Sequence, residues 1–274
     1  MKVAFLGPLG TYTHQAVTQQ FGDIELLPQT SIGDCFEKLN AKYVDYAVVP
    51  FENSTNGQVV FTYDLLRDWL LRSNSSFKIV AEQFVSIQHN LLSNLKSIDD
   101  IKTIYSHPQV WTQVKNFLKD LSVVKIDVDS TSKAAEIVSK DTTHTAAAIS
   151  SYMSSKIYNL PILKKNIEDN SNNTTRFLVL GYDSLEESGE VTSSIMLTLN
   201  HDDPGALCDI LVKFKSKGIN LTSINSRPSN IKQWQYVFFI EMMGDVSVIK
   251  NELKEICLDF IILGTFKRKP ISNV

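Results

Sequence analysis

A change of rhythm at residues 183–190 constrains the fold of this 274-residue chain more than any other feature. Before it, short apolar runs alternate with segments of helical spacing. The runs are KVAFLG (2–7), IELLP (24–28), DYAVVPF (45–51), KIVAEQFVSI (78–87), TIYS (103–106), VVKIDV (123–128) and TAAAI (145–149). Helical patterns fit at about 13–21, 31–40, 57–72, 108–119, 131–140 and 150–157. Such alternation builds α/β units. Leu65, Leu66, Trp69 and Leu70 share one helical stripe, the pattern of a core-facing helix. The long run 78–87 leads into a further set of βα units and predicts a crossover into a second lobe; TRFLVLGY (175–182) predicts a return to the first. Residues 1–183 are therefore expected to form two α/β lobes with a cleft between them, lobe one about 1–78 plus 160–183 and lobe two about 79–159.

The stretch DSLEESGE is polar and acidic, and residues 184–190 of it read as a linker. Beyond it come SIMLTLN (194–200) as strand, PGALCDILVKFKSKG (204–218) as helix and INLTSINSR (219–227) as strand. WQYVFFIEM (234–242) follows as strand, VSVIKNELKEICL (246–258) as helix and DFIILGTF (259–266) as strand. That order, βαββαβ, is the ferredoxin-like plan, expected over 191–270 as a module that stands apart. Pro204 sits in a first helical turn and Gly218 at a helix end, where each is tolerated best.

Composition narrows the function. Net charge is −3 with no basic block, so neither nucleic acid nor a membrane surface is expected as partner. No run approaches the roughly 18 apolar residues of a membrane helix. The N-terminus turns polar too early for a secretory signal. Cys35, Cys208 and Cys257 lack metal-ligand spacing and read as reduced thiols, so a cytoplasmic location is expected.

Polar strings behind the strands carry the chemistry. GPLGTYTHQA (7–16) opens a helix and reads first as an ordinary βα turn capped by threonine, with anion binding at the helix start as the alternative. VPFENSTNGQV (49–59) offers Glu52, Asn53 and Ser54 at a strand end. They are either ligand-binding groups or the caps and turn of a loop. In SHPQ (106–109), His107 reads first as a helix cap with Pro108 in the first turn. DSTSKAAE (129–136) repeats that plan. NNTTRF (172–177) places Arg176 where it would either fork onto a carboxylate or project into solvent.

In this order, GPxGTYTHQA, VPFENSxxGxV, SHPQ, STSxAA, AAIxS and NxTRFLVLG resemble the prephenate dehydratase family, over the first two-thirds of the chain. PGAL (204–207), GINLTSINSRP (218–228) and YVFFIE (236–241) look like the regulatory ACT domain that follows in that family. The resemblance is to the monofunctional form, without a chorismate-mutase helix. It implies a lobe pair similar to type II periplasmic binding proteins, followed by an ACT domain. The implied reaction converts prephenate to phenylpyruvate with loss of CO2 and water, under feedback by L-phenylalanine. That chemistry needs no metal, flavin or nicotinamide, and no cofactor is expected.

Carried over residue by residue, the resemblance makes Thr175 the catalytic hydroxyl, Arg176 the partner of a substrate carboxylate, and Glu52 either a proton donor or a loop brace. Thr11, Asn53, Ser54 and Thr131 would bind substrate, Phe177 would wall the ring or fill the core, and His107 would support. Phenylalanine would bind between two modules, against Gly205, Ala206, Leu207, Asn220, Leu221, Thr222 and Ser226, in a homodimer or homotetramer. One departure is Asn225, where the family usually has glutamate; it lacks a charge for the ammonium of an amino acid, which implies weaker or differently selective inhibition. The competing readings are arogenate dehydratase and, from other classes, a two-lobed solute-binding protein or a non-catalytic amino-acid sensor.

Overall fold

The computed structural model describes residues 1–73, 75–186, 188–200 and 203–268. Glu187 of the expected linker, and residues 269–270 at the end of the expected module, lie outside them. From the N-terminus the elements are β1 (Lys2–Leu6), α1 (Tyr12–Phe21), β2 (Glu25–Gln29), α2 (Ile32–Asn40), β3 (Tyr46–Asn53), β4 (Gly57–Gln58), α3 (Val60–Arg67) and β5 (Lys78–Ser86). The first sheet runs β2-β1-β3-β11-β5, with β4 folded back on β3 and β11 (Thr174–Gly181) inserted antiparallel between β3 and β5. In the run AVVPF of β3, Ala47, Val49 and Phe51 pack with Phe36, Leu39 and Leu66 from α2 and α3. Val48 packs on the other face with Ala16 and Val17 of α1. A sheet covered on both faces needs a near-continuous apolar strand, which is what the sequence supplies.

Between β5 and β11 lies the second lobe: β6 (Asn90–Leu92), β7 (Thr103–Ser106), α4 (Pro108–Trp111), α5 (Lys115–Leu118), β8 (Val124–Asp127), α6 (Thr131–Ser139), β9 (Ala146–Ser150), α7 (Tyr152–Ile157) and β10 (Ile162–Lys164). Its sheet order is β10-β6-β9-β7-β8. Two expected boundaries move. β5 is a full member of the first sheet, so the chain crosses over after Ser86 rather than at 78. β10 belongs to the second sheet, so the return begins at β11 rather than at 160. The two crossing segments are tied by Ile87 N–H donating to the Asn173 carbonyl at 2.8 Å. The helix expected over 108–119 is two four-residue helices. The Asp169 carboxylate, remote in sequence, accepts from the N–H groups of Lys115 and Asn116 at 2.8 and 3.0 Å and caps the second one afresh.

The last third forms β12 (Glu190–Thr198), α8 (Ala206–Ser216), β13 (Leu221–Pro228), β14 (Tyr236–Met243), α9 (Lys250–Ile256) and β15 (Asp259–Arg268), an antiparallel sheet of order β13-β14-β12-β15. This is the expected βαββαβ module, but it does not stand apart. One sheet face packs on α8 and α9 through Ile195, Leu197, Ile210 and Phe214. The other face sends Met196, Val237, Phe239, Leu263 and Phe266 into the same core as Phe36, Tyr63, Phe77 and Ile79 of lobe one. β15 approaches β5 so closely that a Cβ on Gly264 would lie 2.0 Å from the Ile79 carbonyl oxygen; only glycine fits there.

Candidate active site

The ends of β3 and β11 meet at the mouth of the interlobe crossing. Thr175 lies opposite Asn53 in register, and directly paired residues share a sheet face. Asn53 Nδ2 donates to Thr175 Oγ1 at 2.9 Å and to Asn173 Oδ1 at 2.7 Å. Its Oδ1 accepts from the N–H groups of Thr55 and Asn56 at 3.0 and 2.9 Å. The carboxamide is thus fixed in one orientation, and Thr175 is held through its lone pair. Among the described residues its own O–H has no acceptor, so that proton is free for a ligand. Ser54 braces the same corner, its Oγ accepting from Thr174 N–H at 2.9 Å and its N–H donating to the Thr174 carbonyl at 2.8 Å.

Arg176 departs from expectation. Successive strand residues face opposite ways, so with Thr175 turned to the crossing, Arg176 points toward the C-terminal module. Its Nε donates to Glu82 at 2.5 Å, and Nη1 and Nη2 donate to the two oxygens of Glu241 at 2.7 and 2.6 Å. Arg268 closes the cluster on Glu82, and the Arg176 guanidinium lies 5.1 Å from the centre of the Phe51 ring. Burial pulls the Arg176 pKa down, but the bonds and charges of Glu241 and Glu82 more than reverse this and raise it. A guanidinium so occupied, 7% exposed, does not stand with Thr175 as a substrate clamp.

Glu52 also lies off the expected site. It pairs in register with Arg176, and with Glu241 it surrounds Tyr63, whose phenol is raised first by burial and then by these carboxylates. Phe177 is buried among Val3, Phe5 and Val17, so it fills the core rather than walling a ligand. His107 caps α4, its Nδ1 accepting from Gln109 N–H at 3.3 Å, and partial burial lowers its pKa.

Thr11 caps α1 by accepting from His14 N–H at 3.2 Å. The loop before it is gripped by the second lobe. Gly10 O accepts from Ser151 and Ser154 hydroxyls at 2.8 and 2.9 Å, and Leu9 O accepts from Ser132. Gly10 has φ +88°, and a Cβ there would meet Ser132 Oγ at 2.6 Å, so the tight grip requires glycine. Thr131, 8% exposed, starts α6 beside Ser132. The starts of α1, α6 and α7 therefore converge across the lobes.

Ser132 and Ser151 belong to the STSxAA and AAIxS strings, yet residue types alone did not single them out. A second bridge was also missed. Tyr12 O–H donates to the Gln88 carbonyl at 2.9 Å and lies 3.1 Å from His89 Nδ1, while His89 Nε2 is 2.7 Å from Gln113 Oε1. Burial lowers the His89 pKa and raises that of Tyr12, favouring the neutral pair. Among the described residues no group of three or more His, Cys, Asp or Glu is placed to hold a metal ion.

In the C-terminal module, Gly205, Ala206 and Leu207 line a cavity of about 390 Å³ with Leu199, Asp203 and Phe238. Asn220, Leu221, Thr222 and Ser226 are not among its lining residues; they lie before or on β13, the edge strand of the sheet. Asn225 faces lobe one. Its Nδ2 donates to Tyr63 Oη at 3.1 Å and its Oδ1 accepts from Gln58, so it belongs to the junction and not to that cavity. Arg227 forks onto Asp64 at 2.9 and 2.8 Å, and Arg67 donates to the Pro228 carbonyl at 2.6 Å, fastening the same strand to α3.

Two α/β lobes joined by paired crossing segments, a held threonine at their mouth and a ferredoxin-like module sharing the core define a two-lobed α/β protein with an attached βαββαβ module. The sequence profile of the family described as Prephenate dehydratase matches residues 3–185, and the chain belongs to this family. A "Probable prephenate dehydratase" of Saccharomyces cerevisiae is 36% identical, covering 98% of this chain and 96% of its own. The solved prephenate dehydratase of Arthrobacter aurescens in complex with L-Phe has a TM-score of 0.87 and 28% identity over 100% of this chain and 93% of its own. A quorum-quenching acylase, GqqA, has a TM-score of 0.88 at 24% identity over the full length of both, a likeness of fold alone.

Proposed function

We propose that the protein converts prephenate to phenylpyruvate, with Thr175 as the hydroxyl that assists departure of the ring oxygen. The observation that carries this is the Asn53–Thr175 pair: the amide occupies a lone pair of Thr175 and leaves its proton to donate. In the reaction the carboxylate on the ring leaves as CO2, its bonding electrons aromatise the ring, and the C–OH bond breaks. Hydroxide would be expelled, and a hydrogen bond from Thr175 stabilises the charge growing on that oxygen, which takes up a proton from solvent and ends as water. Such assistance is worth about 10²–10⁴ in rate.

The substrate dianion lies against the converging starts of α1 and α6, where Thr11 and Thr131 stand and backbone N–H groups and helix dipoles favour anions. Asn53 and Ser54 act by fixing Thr175 and the 172–174 corner. The C-terminal module is an ACT-type regulatory module that binds L-phenylalanine in the Gly205–Leu207 cavity. The unpaired edge β13 of a second copy supplies Asn220, Leu221, Thr222 and Ser226, which makes the regulated form at least a homodimer. The free cysteines fit the reducing cytoplasm.

Purified protein mixed with prephenate should yield phenylpyruvate, more slowly when phenylalanine is added, with arogenate assayed beside it to establish preference. No turnover of either substrate would refute the reading; turnover of arogenate alone would move the assignment to the aminated substrate.

A further inference from the structure

We propose that Arg176 is a positioning residue, the link through which the C-terminal module sets the placement of Thr175. The proposal rests on the dehydratase reading above. It goes beyond it by giving the buried arginine a task that the module, not the substrate, controls.

Thr175 and Arg176 are neighbours on β11, with side chains on opposite faces of one sheet. One face presents the hydroxyl that Asn53 holds; the other presents a guanidinium whose two Nη donors both end on Glu241 of β14. Glu82 on β5 takes the remaining Nε, and Arg268 on β15 spans Glu82 and Glu241, the latter at 3.6 Å. Two positive and two negative groups so arranged neutralise one another. Arg176, Glu82 and Glu241 are 7%, 2% and 4% exposed, so water cannot replace a lost partner. Removing one partner of such a pair leaves a buried charge uncompensated, which makes the link stiff.

The neighbouring strand is irregular at the same place: β3 carries an extra residue, Phe51, opposite the Arg176–Phe177 step. The pairing of β11 with β3 shifts register between Arg176 and Phe177, so the regular ladder is interrupted immediately beside the residue that the module grips. A displacement of β14 against lobe one therefore passes along one peptide unit to Thr175 and changes its geometry against Asn53. Misplacement of a reacting group by about 1 Å costs on the order of 10² in rate. A cluster that served only as glue would alter stability and leave turnover of the folded protein alone.

The test uses the full chain with Glu241→Gln, which keeps shape and one acceptor while removing the charge. The variant is assayed on prephenate where near-ultraviolet circular dichroism shows it folded. We expect kcat to fall about ten-fold, KM to stay within about two-fold, and the fold-inhibition by saturating phenylalanine to shrink. Arg176→Lys should behave alike, and the double variant should be no worse than the poorer single one, because both break one link. Should Glu241→Gln not fold, Arg268→Gln on the partly exposed rim reads the same link, with about a three-fold loss of kcat expected. Wild-type kcat in the folded variants would overturn the proposal. So would a raised KM at unchanged kcat, which would return Arg176 to a substrate carboxylate. A wild-type chain inactive on prephenate would sink the underlying activity and this link together.

Discussion

A threonine hydroxyl is a weak acid, so in the proposed reaction Thr175 would act by where its proton points rather than by giving it up early. Thr175→Ala should lower kcat by about 10²–10⁴ while the folded spectrum is kept, and Thr175→Ser should retain most of the rate because it keeps the O–H. Steady-state kinetics with circular dichroism check both, and an active alanine variant would remove Thr175 from the chemistry. Histidine burial gives a second prediction. His14 accepts from Gly10 N–H at 3.1 Å through Nδ1, which requires the neutral ring, and burial lowers the pKa of His14, His89 and His107. A lowered folded-state pKa means that the unfolded chain takes the proton first, so stability is complete above the ordinary value of about 6.5 and is lost as pH falls below it. The urea midpoint should be lower at about pH 5.5 than at about pH 7.5, and His14→Asn should flatten part of that slope; equal midpoints in the wild type would contradict it. At this scale the residue strings marked which polar groups gather at the strand ends but not the direction of each side chain. Thr175 and Asn53 come together as the strings implied, whereas Arg176 and Glu52 face the module, because strand alternation and the register beside the bulge decide the face. Tyr12, His89 and Ser154 went unnoticed because each has its partner across the lobes, 77 residues away for Tyr12 with His89 and 144 for Ser154 with Gly10.

Elements were easier to read than their partners. The strands of the α/β part and the βαββαβ order after the linker follow from apolar runs and turn residues. Which sheet takes β5 does not, since a buried strand has the same pattern in either lobe and only its pairing with β11 settles it. The split of the 108–119 helix was likewise hidden, because the carboxylate that interrupts it is Asp169. Gly264 shows how one such pairing is enforced. Gly264→Ala would set a methyl group 2.0 Å from the Ile79 carbonyl oxygen, backbone against backbone, so β15 must lift from β5. The cost should reach the upper part of the roughly 1–3 kcal/mol typical of overpacking, read as a lower urea midpoint. Gly33→Ala is the control: its added Cβ would meet only Ser31 Oγ at 3.6 Å, and in α2 alanine should be neutral or stabilising by about 0.5–1 kcal/mol. Equal midpoints for the two variants would show that β15 lies farther from β5 than this 2.0 Å contact requires.

For the whole molecule, the shared core matters more than the division into lobes and module. Phe239 on β14 is 3% exposed and meets Tyr63 of α3 edge-on at 5.1 Å, while Tyr63 stacks on Phe51 at 4.3 Å; Arg176 lies over that same Phe51 ring. A side chain from the C-terminal module thus completes the aromatic packing beneath the strand that carries Thr175. Two units that each buried their own core would unfold independently and would need a linker only to stay together. Two units that complete one core must lose it together. Phe239→Ala removes a ring from that common layer and should cost about 3–5 kcal/mol. Because the layer belongs to both units, the loss should appear as one cooperative transition at lower denaturant, with near-ultraviolet, far-ultraviolet and activity signals moving together. If the module instead melted first while the lobes kept their own transition and turnover, the core would be two cores in contact, and the ion cluster alone would couple the two units.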